Sequence, residues 1–332
     1  LEKRDRLLFR VMLITLCAGV ALMGFKFLAW WLTDSNAVLS DASESVINVL
    51  AGGVALYSIY FSARPRDLNH PYGHGKIEFF VAGLEGALIS IAGLTIIGRA
   101  LYSFWHPQPI KELTTGTLLI LISSGVNWAL GQYLIQTGKK HHSLTLQADG
   151  KHLMSDVYSS LGLALGLGII QVTNLLWLDG VFAIGFALFI LYSGYELVRD
   201  AVAGLMDESN PQLIRRVLEA LNNHRRTDWI DVHNLRVQNY GKHLHLDCHL
   251  TFPYFKTVEA MNEELLFMEK MINQYLDEDV EVFIHVEPCT IRSCGCCAVA
   301  ECPRRNTAFQ AHMVWTEEIV IQKELTDNVK KH

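Results

Sequence analysis

Charged residues make up only 19% of the 332-residue sequence, prolines number 8, and the net charge is −6. Without a basic surplus there is no electrostatic footprint for nucleic acid, so a nucleic-acid partner is excluded. Glycine at 24 and proline at 8 are too few for a collagen-like or disordered chain. Seven cysteines, an odd number with five crowded into 289–302, do not make a disulfide scaffold. No G-x-x-x-x-G-K-[ST] loop occurs, which argues against a nucleotide-driven pump, and no H-E-x-x-H marks a zincin-type enzyme. Long low-complexity runs and solenoid periods are also missing.

What the chain has instead is apolar mass. Half of its residues are apolar, and the mean hydropathy is +0.21, too greasy for a wholly soluble protein and too polar for one that is all membrane. The mass falls in six stretches, 8–32, 37–62, 79–104, 114–137, 149–173 and 177–201. Each exceeds the roughly 20 residues a helix needs to cross the hydrocarbon core. The first runs about twice the length of a signal-peptide core and has no small-residue cleavage site. Leu1 in place of Met points to trimmed leading residues. Lys3, Arg4, Arg6 and Arg10, then Arg64, Arg66 and Lys76, then Lys139, Lys140 and Lys151 all fall on one side of the alternating spans. The positive-inside rule therefore puts both termini in the cytoplasm.

From residue 211 the texture becomes that of a soluble domain. Stretches 211–222 and 257–275 carry amphipathic helical patterns, and 231–239 and 280–286 read as strands. In 242–252 the residues Leu244, Leu246, Cys248 and Leu250 alternate with His243, His245, Asp247 and His249, which predicts one apolar and one polar strand face. The expected fold class is an all-α six-helix transmembrane domain (1–205) plus an α+β domain of α-β-β-α-β order (206–290). A Cys-rich and then charged tail follows (291–332).

Ionisable residues inside the spans are costly and by default mark a pathway. Asp41 and Glu44 lie in the second stretch, His152 and Asp156 in the fifth. His152 and Asp156 are four apart, on one helix face. Asp41 shares a polar stripe with Glu44, Ser45 and Asn48. Imidazole and carboxylates from two helices make a nitrogen and oxygen site for a divalent transition metal. The alternative is a buried hydrogen-bonded patch that holds the helices together.

The segment Ala148-Asp149-Gly150-Lys151-His152-Leu153-Met154-Ser155-Asp156 resembles the His-x-x-x-Asp motif of the cation diffusion facilitator family of metal transporters. Leu39-Ser40-Asp41-Ala42-Ser43-Glu44-Ser45 is similar to its companion motif, and the run from Asp67 to Glu78 to the loop between spans two and three. Leu205-Met206-Asp207-Glu208 and His285-Val286-Glu287-Pro288 fit as well, so the resemblance covers roughly 8–289. It implies a transport site at Asp41, His152 and Asp156. Ser45 stands where the family has Asp or His, leaving Ser45, Glu44 or water as the fourth donor; Glu44, one turn from Asp41, has the longer reach. It also implies a second metal site at Asp67, His70 and His74. Their spacing suits one helix face, although Pro71 and Gly73 favour a bent loop, and a merely solvated loop is the competing reading. In the metallochaperone-like cytoplasmic domain it implies a cluster of His233, His249, His285 and Glu287. Met261 stands near where the family often adds a histidine. Lys76 and Asp207 resemble a charge interlock of family homodimers.

His243 and His245 share the polar face and are expected as exposed strand polarity. Cys289, Cys294, Cys296, Cys297 and Cys302 lie mostly beyond the family pattern. Thiolates clustered so tightly in a cytoplasmic tail bind soft metal or sense redox state more often than they form disulfides.

The expected function is export of zinc or a similar ion from the cytoplasm across a bacterial inner membrane by a homodimer, with protons as counter-ions, lipid around it and no organic cofactor. Iron(II), cobalt, cadmium, nickel and manganese are equally admissible donor chemistry. A membrane metal sensor and an intramembrane metalloenzyme are the readings from other classes.

Overall fold

The computed structural model describes residues 3–33, 36–105, 115–173, 177–240, 243–276 and 280–322. It divides into two units, Leu1–Met206 and Asp207–His332. In the first, the described residues form α1 (Lys3–Thr33), α2 (Asn36–Ser62), α3 (Ile77–Trp105), α4 (Thr115–Lys140), α5 (Leu144–Thr173) and α6 (Trp177–Leu205). The shortest has 26 residues, about 39 Å at 1.5 Å per residue and longer than the hydrocarbon core. By length and composition, Lys3–Leu28, Ser45–Ser62, Ile77–Tyr102 and Gly180–Leu205 can cross a membrane.

Burial in this unit departs from that of a water-soluble bundle, for beside its buried aliphatic clusters it exposes large apolar side chains and buries charged ones. Ile14, Leu50, Leu94, Leu188 and Tyr192 are exposed, while Thr15, Lys26, Ser58, Glu85, Asn127, Asp149 and His152 are buried. Lipid solvates the former, and burying the latter is costly unless they meet partners or water inside. Helices α3 and α6, α4 and α5, and α1 and α2 pack in pairs, and α5 also reaches α2. Close approach of α4 and α5 depends on glycine. A Cβ on Gly150 would lie 2.9 Å from the Gly131 carbonyl oxygen and 3.0 Å from the Ile135 nitrogen. Gly150 thus seats the turn of α5 that carries Asp149 and His152. Below it, the Glu78 carboxylate accepts from Ser143 Oγ at 2.7 Å and from Ser62 Oγ at 3.3 Å.

The second unit runs α7 (Pro211–Asn223), β1 (Asp231–Tyr240), β2 (His243–Phe252), α8 (Val258–Leu276) and β3 (Val280–Pro288). The Asn210 side chain caps α7 by accepting from the Gln212 and Leu213 N–H groups, with Pro211 in the first turn. Strand β1 pairs antiparallel with β2 and β2 parallel with β3. Asn273 at the end of α8 both donates to and accepts from the Val280 backbone, which fixes where β3 begins.

Leu244, Leu246, Cys248 and Leu250 are buried as their alternation predicts, packed with Val217, Leu221, Met268 and Ile272 of the two helices. Burial pushes the Cys248 thiol up to about 12, so it is a core side chain and not a nucleophile or ligand. Two features differ from expectation. His245 is buried rather than exposed, because the Phe283 ring packs on it at 5.0 Å and Asp247 and Glu281 flank it. The side chain of His243 lies outside the described residues.

The tail also joins this core. Met313, Trp315 and Val320 pack into it, and the Arg225 guanidinium stacks on Trp315 at 3.9 Å while donating to the Met313 and Ile230 carbonyls. A charged, low-hydropathy segment gave no periodic signal for this, since one tryptophan held by one arginine carries it.

A soluble fragment 207–322 is therefore expected to melt at least about 10 °C above one ending at 290. Losing a buried tryptophan costs about 3–5 kcal/mol, and each kcal/mol moves Tm by about 4–8 °C in a domain of this size. Equal melting temperatures, read by circular dichroism, would show that the tail adds nothing to the core.

Candidate metal centre

Besides the clustered cysteines, three sets of donors come from the sequence, and the structure treats each differently. In the first unit, α5 carries His152 and Asp156 on one face, and α2 meets that face with Ser45 and Asn48. Asn48 bridges the pair. Its Oδ1 lies 3.0 Å from His152 Nε2, and its Nδ2 donates to Asp156 Oδ2 at 2.5 Å. His152 Nε2 thereby donates to the amide oxygen, and Asp156 Oδ2 accepts from the amide nitrogen. Ser45 is buried beside them. The side chains of Asp41 and Glu44 lie outside the described residues, although both positions belong to α2.

Ser45, Asn48 and Asp149, with Lys26 and Asn127, line a cavity of about 40 Å³. That is room for an ion or a few waters, with these polar groups set among apolar walls that include Leu16, Val49 and Leu130. Asn48 was visible in the sequence only as the last member of the Asp41 stripe, and Asp149 only as a letter of the fifth-span motif. The signal for both was spacing: seven residues separate Asp149 from Asp156 and Asp41 from Asn48, two helical turns each.

The second set sits in the turns between α2 and α3. Asp67, His70 and His74 each bring a donor atom within 4.8 Å of the others. The segment is a bent loop, as Pro71 and Gly73 favour, with Gly73 at φ 88°. Asp67 Oδ1 lies 3.1 Å from His70 Nδ1, and its Oδ2 lies 3.4 Å from His74 Nε2. The His70 backbone N–H above all, with that of Asn69, holds the Asp67 carboxyl below its ordinary value. The carboxylate therefore stays ionised to lower pH than a free one. His74 is buried against the Phe61 ring, whereas Asp67 and His70 are exposed. Lys76 ends this loop. Asp207 opens the second unit at φ 56°.

The third set is a row across the sheet. His233 pairs with His249 and His249 with His285, so three strands present three imidazoles side by side. His233, His249 and Glu287 converge within 4.8 Å. His249 Nδ1 lies 2.9 Å from Glu287 Oε1, and His233 Nε2 lies 3.6 Å from its Oε2. His285 is exposed at the edge, its ring 4.9 Å from that of His249. A register shift between His233 and Arg236, with Asn234 at φ 51°, lets Val232 and Leu235 both face the core while His233 faces the row. The sequence does not reveal that bulge, nor Asp231, whose buried carboxylate orients His233 Nδ1 at 3.0 Å. Imidazoles braced by carboxylates suit a borderline transition ion.

The family model of the cation efflux transmembrane domain matches residues 11–206, and that of the cation efflux protein cytoplasmic domain matches 210–289. An uncharacterised transporter of Synechocystis sp. is 31% identical over 275 residues, 83% of this chain and 88% of its own. A manganese efflux system protein of Bacillus subtilis is 28% identical over 294 residues, 86% and 98% of the two chains. A cation-efflux pump of Yersinia pestis is 27% identical over 290 residues, 83% and 91%.

Zinc at a hundred times its Kd is expected to stabilise fragment 207–322 by about 2.7 kcal/mol. His249→Ala, which removes the middle of the row, should abolish that shift, and His285→Ala should keep the larger part of it. Thermal melts with and without zinc decide. A His249→Ala domain that still gains stability would move the site elsewhere.

Proposed function

The chain belongs to the cation diffusion facilitator family, a divalent metal cation efflux transporter with a multi-pass membrane domain and a cytoplasmic dimerisation domain, and from that premise we propose that it exports zinc in exchange for protons. The observation that carries the reading is the Asn48 bridge between His152 and Asp156 beside a cavity that Asn48 also lines, inside helices that face lipid. A transition ion needs a neutral imidazole and an ionised carboxylate, so it displaces protons on binding and yields to them on release. Metal-free, the amide occupies both donors and keeps them satisfied in a low-dielectric setting. The transport ligands in this reading are Asp41, His152 and Asp156, with Glu44, Ser45 or water completing the set.

One nitrogen with two or three oxygens favours zinc over the harder, octahedral manganese. The Bacillus relative's manganese favours the other choice, so a competition panel belongs in the test. The loop cluster at Asp67 and the histidine row serve as cytoplasmic binding sites that load or regulate. The Lys76 and Asp207 interlock joins the two subunits at the membrane surface of a bacterial inner membrane, with both termini cytoplasmic.

In proteoliposomes, His152→Ala should lose zinc uptake entirely while eluting as a folded protein. Asn48→Ala, which frees His152 and Asp156 from the amide that holds them without metal, should raise the apparent metal affinity. Wild-type uptake by His152→Ala would remove the assigned site, and preference for manganese across the panel would replace zinc as the cargo.

A further inference from the structure

The matched cytoplasmic region ends at residue 289, so four of the five clustered cysteines lie beyond it. The structure sorts the five into four and one. Cys289 continues from β3, its N–H donating to the Phe252 carbonyl at 2.8 Å. Cys294 is buried in a 3-10 turn, Ile291–Gly295, and Cys297 is buried just after it, its N–H donating to the Cys294 carbonyl at 3.4 Å. Cys302 is turned back by the Arg305 N–H, which donates to its carbonyl at 3.2 Å.

The Arg305 guanidinium gathers this loop. It donates to the carbonyls of Cys294 at 3.5 Å, of Cys297 at 2.9 Å and of Val299. Arg304 stacks on the Tyr254 ring at 4.3 Å, and the Tyr254 N–H donates to the Cys289 sulfur. The cysteine neighbours of the Cys289 sulfur are those of Cys297, Cys302 and Cys294. Cys296 has Asp231 and Arg225 as its charged neighbours and, of the other cysteines, Cys297 alone. All five are free thiols.

We propose that Cys289, Cys294, Cys297 and Cys302 form a four-thiolate site for one soft transition-metal centre, separate from the transport ligands and from the histidine row. Their spacing is symmetric, x4, x2 and x4, around a turn that presents the two inner sulfurs from a buried position. Adjacent residues cannot easily share one tetrahedral ion, which leaves Cys296 outside. Four thiolates select zinc, copper(I) or an iron–sulfur core over hard cations, and Arg305 offsets part of the negative charge they bring.

Among the described residues no three cysteine sulfurs lie within 4.8 Å of one another. A single zinc, with Zn–S of about 2.3 Å and hence sulfurs about 3.8 Å apart, would draw them inward. An iron–sulfur core would fill a wider set. Both are thiolate centres on the same residues, and metal analysis tells them apart.

The test uses full-length protein purified in detergent under reducing conditions. Zinc, iron, copper and acid-labile sulfide are counted as isolated and again after dialysis against micromolar zinc. Cys294→Ser with Cys297→Ser should lack one zinc or copper ion per chain, or the iron and sulfide of one cluster, that Cys296→Ser keeps. The double variant should still transport metal in proteoliposomes. On the wild type, alkylation mapped by mass spectrometry should show these four cysteines protected until chelator is added, with Cys296 reactive throughout. Equal metal in wild type and double variant overturns the proposal, as does transport lost with the tail centre or protection that includes Cys296. The wild-type mapping stands even where the double variant fails to fold.

Discussion

An ionisable side chain within a membrane helix costs about 2.5–3.5 kcal/mol on insertion scales, and more on others, unless it finds a partner or water. The first unit is arranged around that constraint. Several of its charged and amide side chains are buried beside aliphatic clusters while other aliphatic ones face outward, and some of the inner polar groups meet in sets such as Glu78 with Ser62 and Ser143. Asn48 is the most economical of these solutions. An amide both donates and accepts, so it can satisfy an imidazole on one side and a carboxylate on the other without adding charge. In the proposed transport reading, the same donors become metal ligands once the amide lets go. The resting hydrogen bonds and the transport chemistry thus draw on the same atoms.

Geometry at this site depends on backbone contact some distance away. Gly150 lets α5 lie against Gly131 and Ile135 of α4, and Asp149 and His152 follow within a turn. In a bundle without a hydrophobic driving force between helices, such small-residue contacts set the crossing that brings α5 to α2. The cytoplasmic unit solves a different problem. Its helices cover one sheet face with an apolar core, and the other face is left to histidines in register across three strands. Strand pairing, not loop chemistry, holds those donors apart at spacings an ion can bridge.

Much of this was legible in the sequence, and the reasons are physical. Apolar length gave the membrane helices, and period-two alternation around Leu246 gave the buried and polar faces of β2. Intramembrane His152 and Asp156 stood out because charge is rare there. The losses were equally physical. Asn48 and Asp149 are recognised only by helical spacing to residues already suspected. The bulge at Asn234 breaks the alternation that pattern reading relies on. His245 is buried by Phe283, a partner 38 residues away, and the tail is held by Arg225 on Trp315, a single stacked pair. No local pattern encodes contacts of that kind.

The shared use of His152 and Asp156 by protons and metal is most directly tested by recording zinc entry and luminal pH together in proteoliposomes, with the membrane potential clamped and no pH gradient imposed. Exchange at this site predicts that the lumen becomes more alkaline as zinc enters, in proportion to the zinc taken up, and that no alkalinisation occurs without metal. Zinc entry at wild-type rate with an unchanged luminal pH would contradict it.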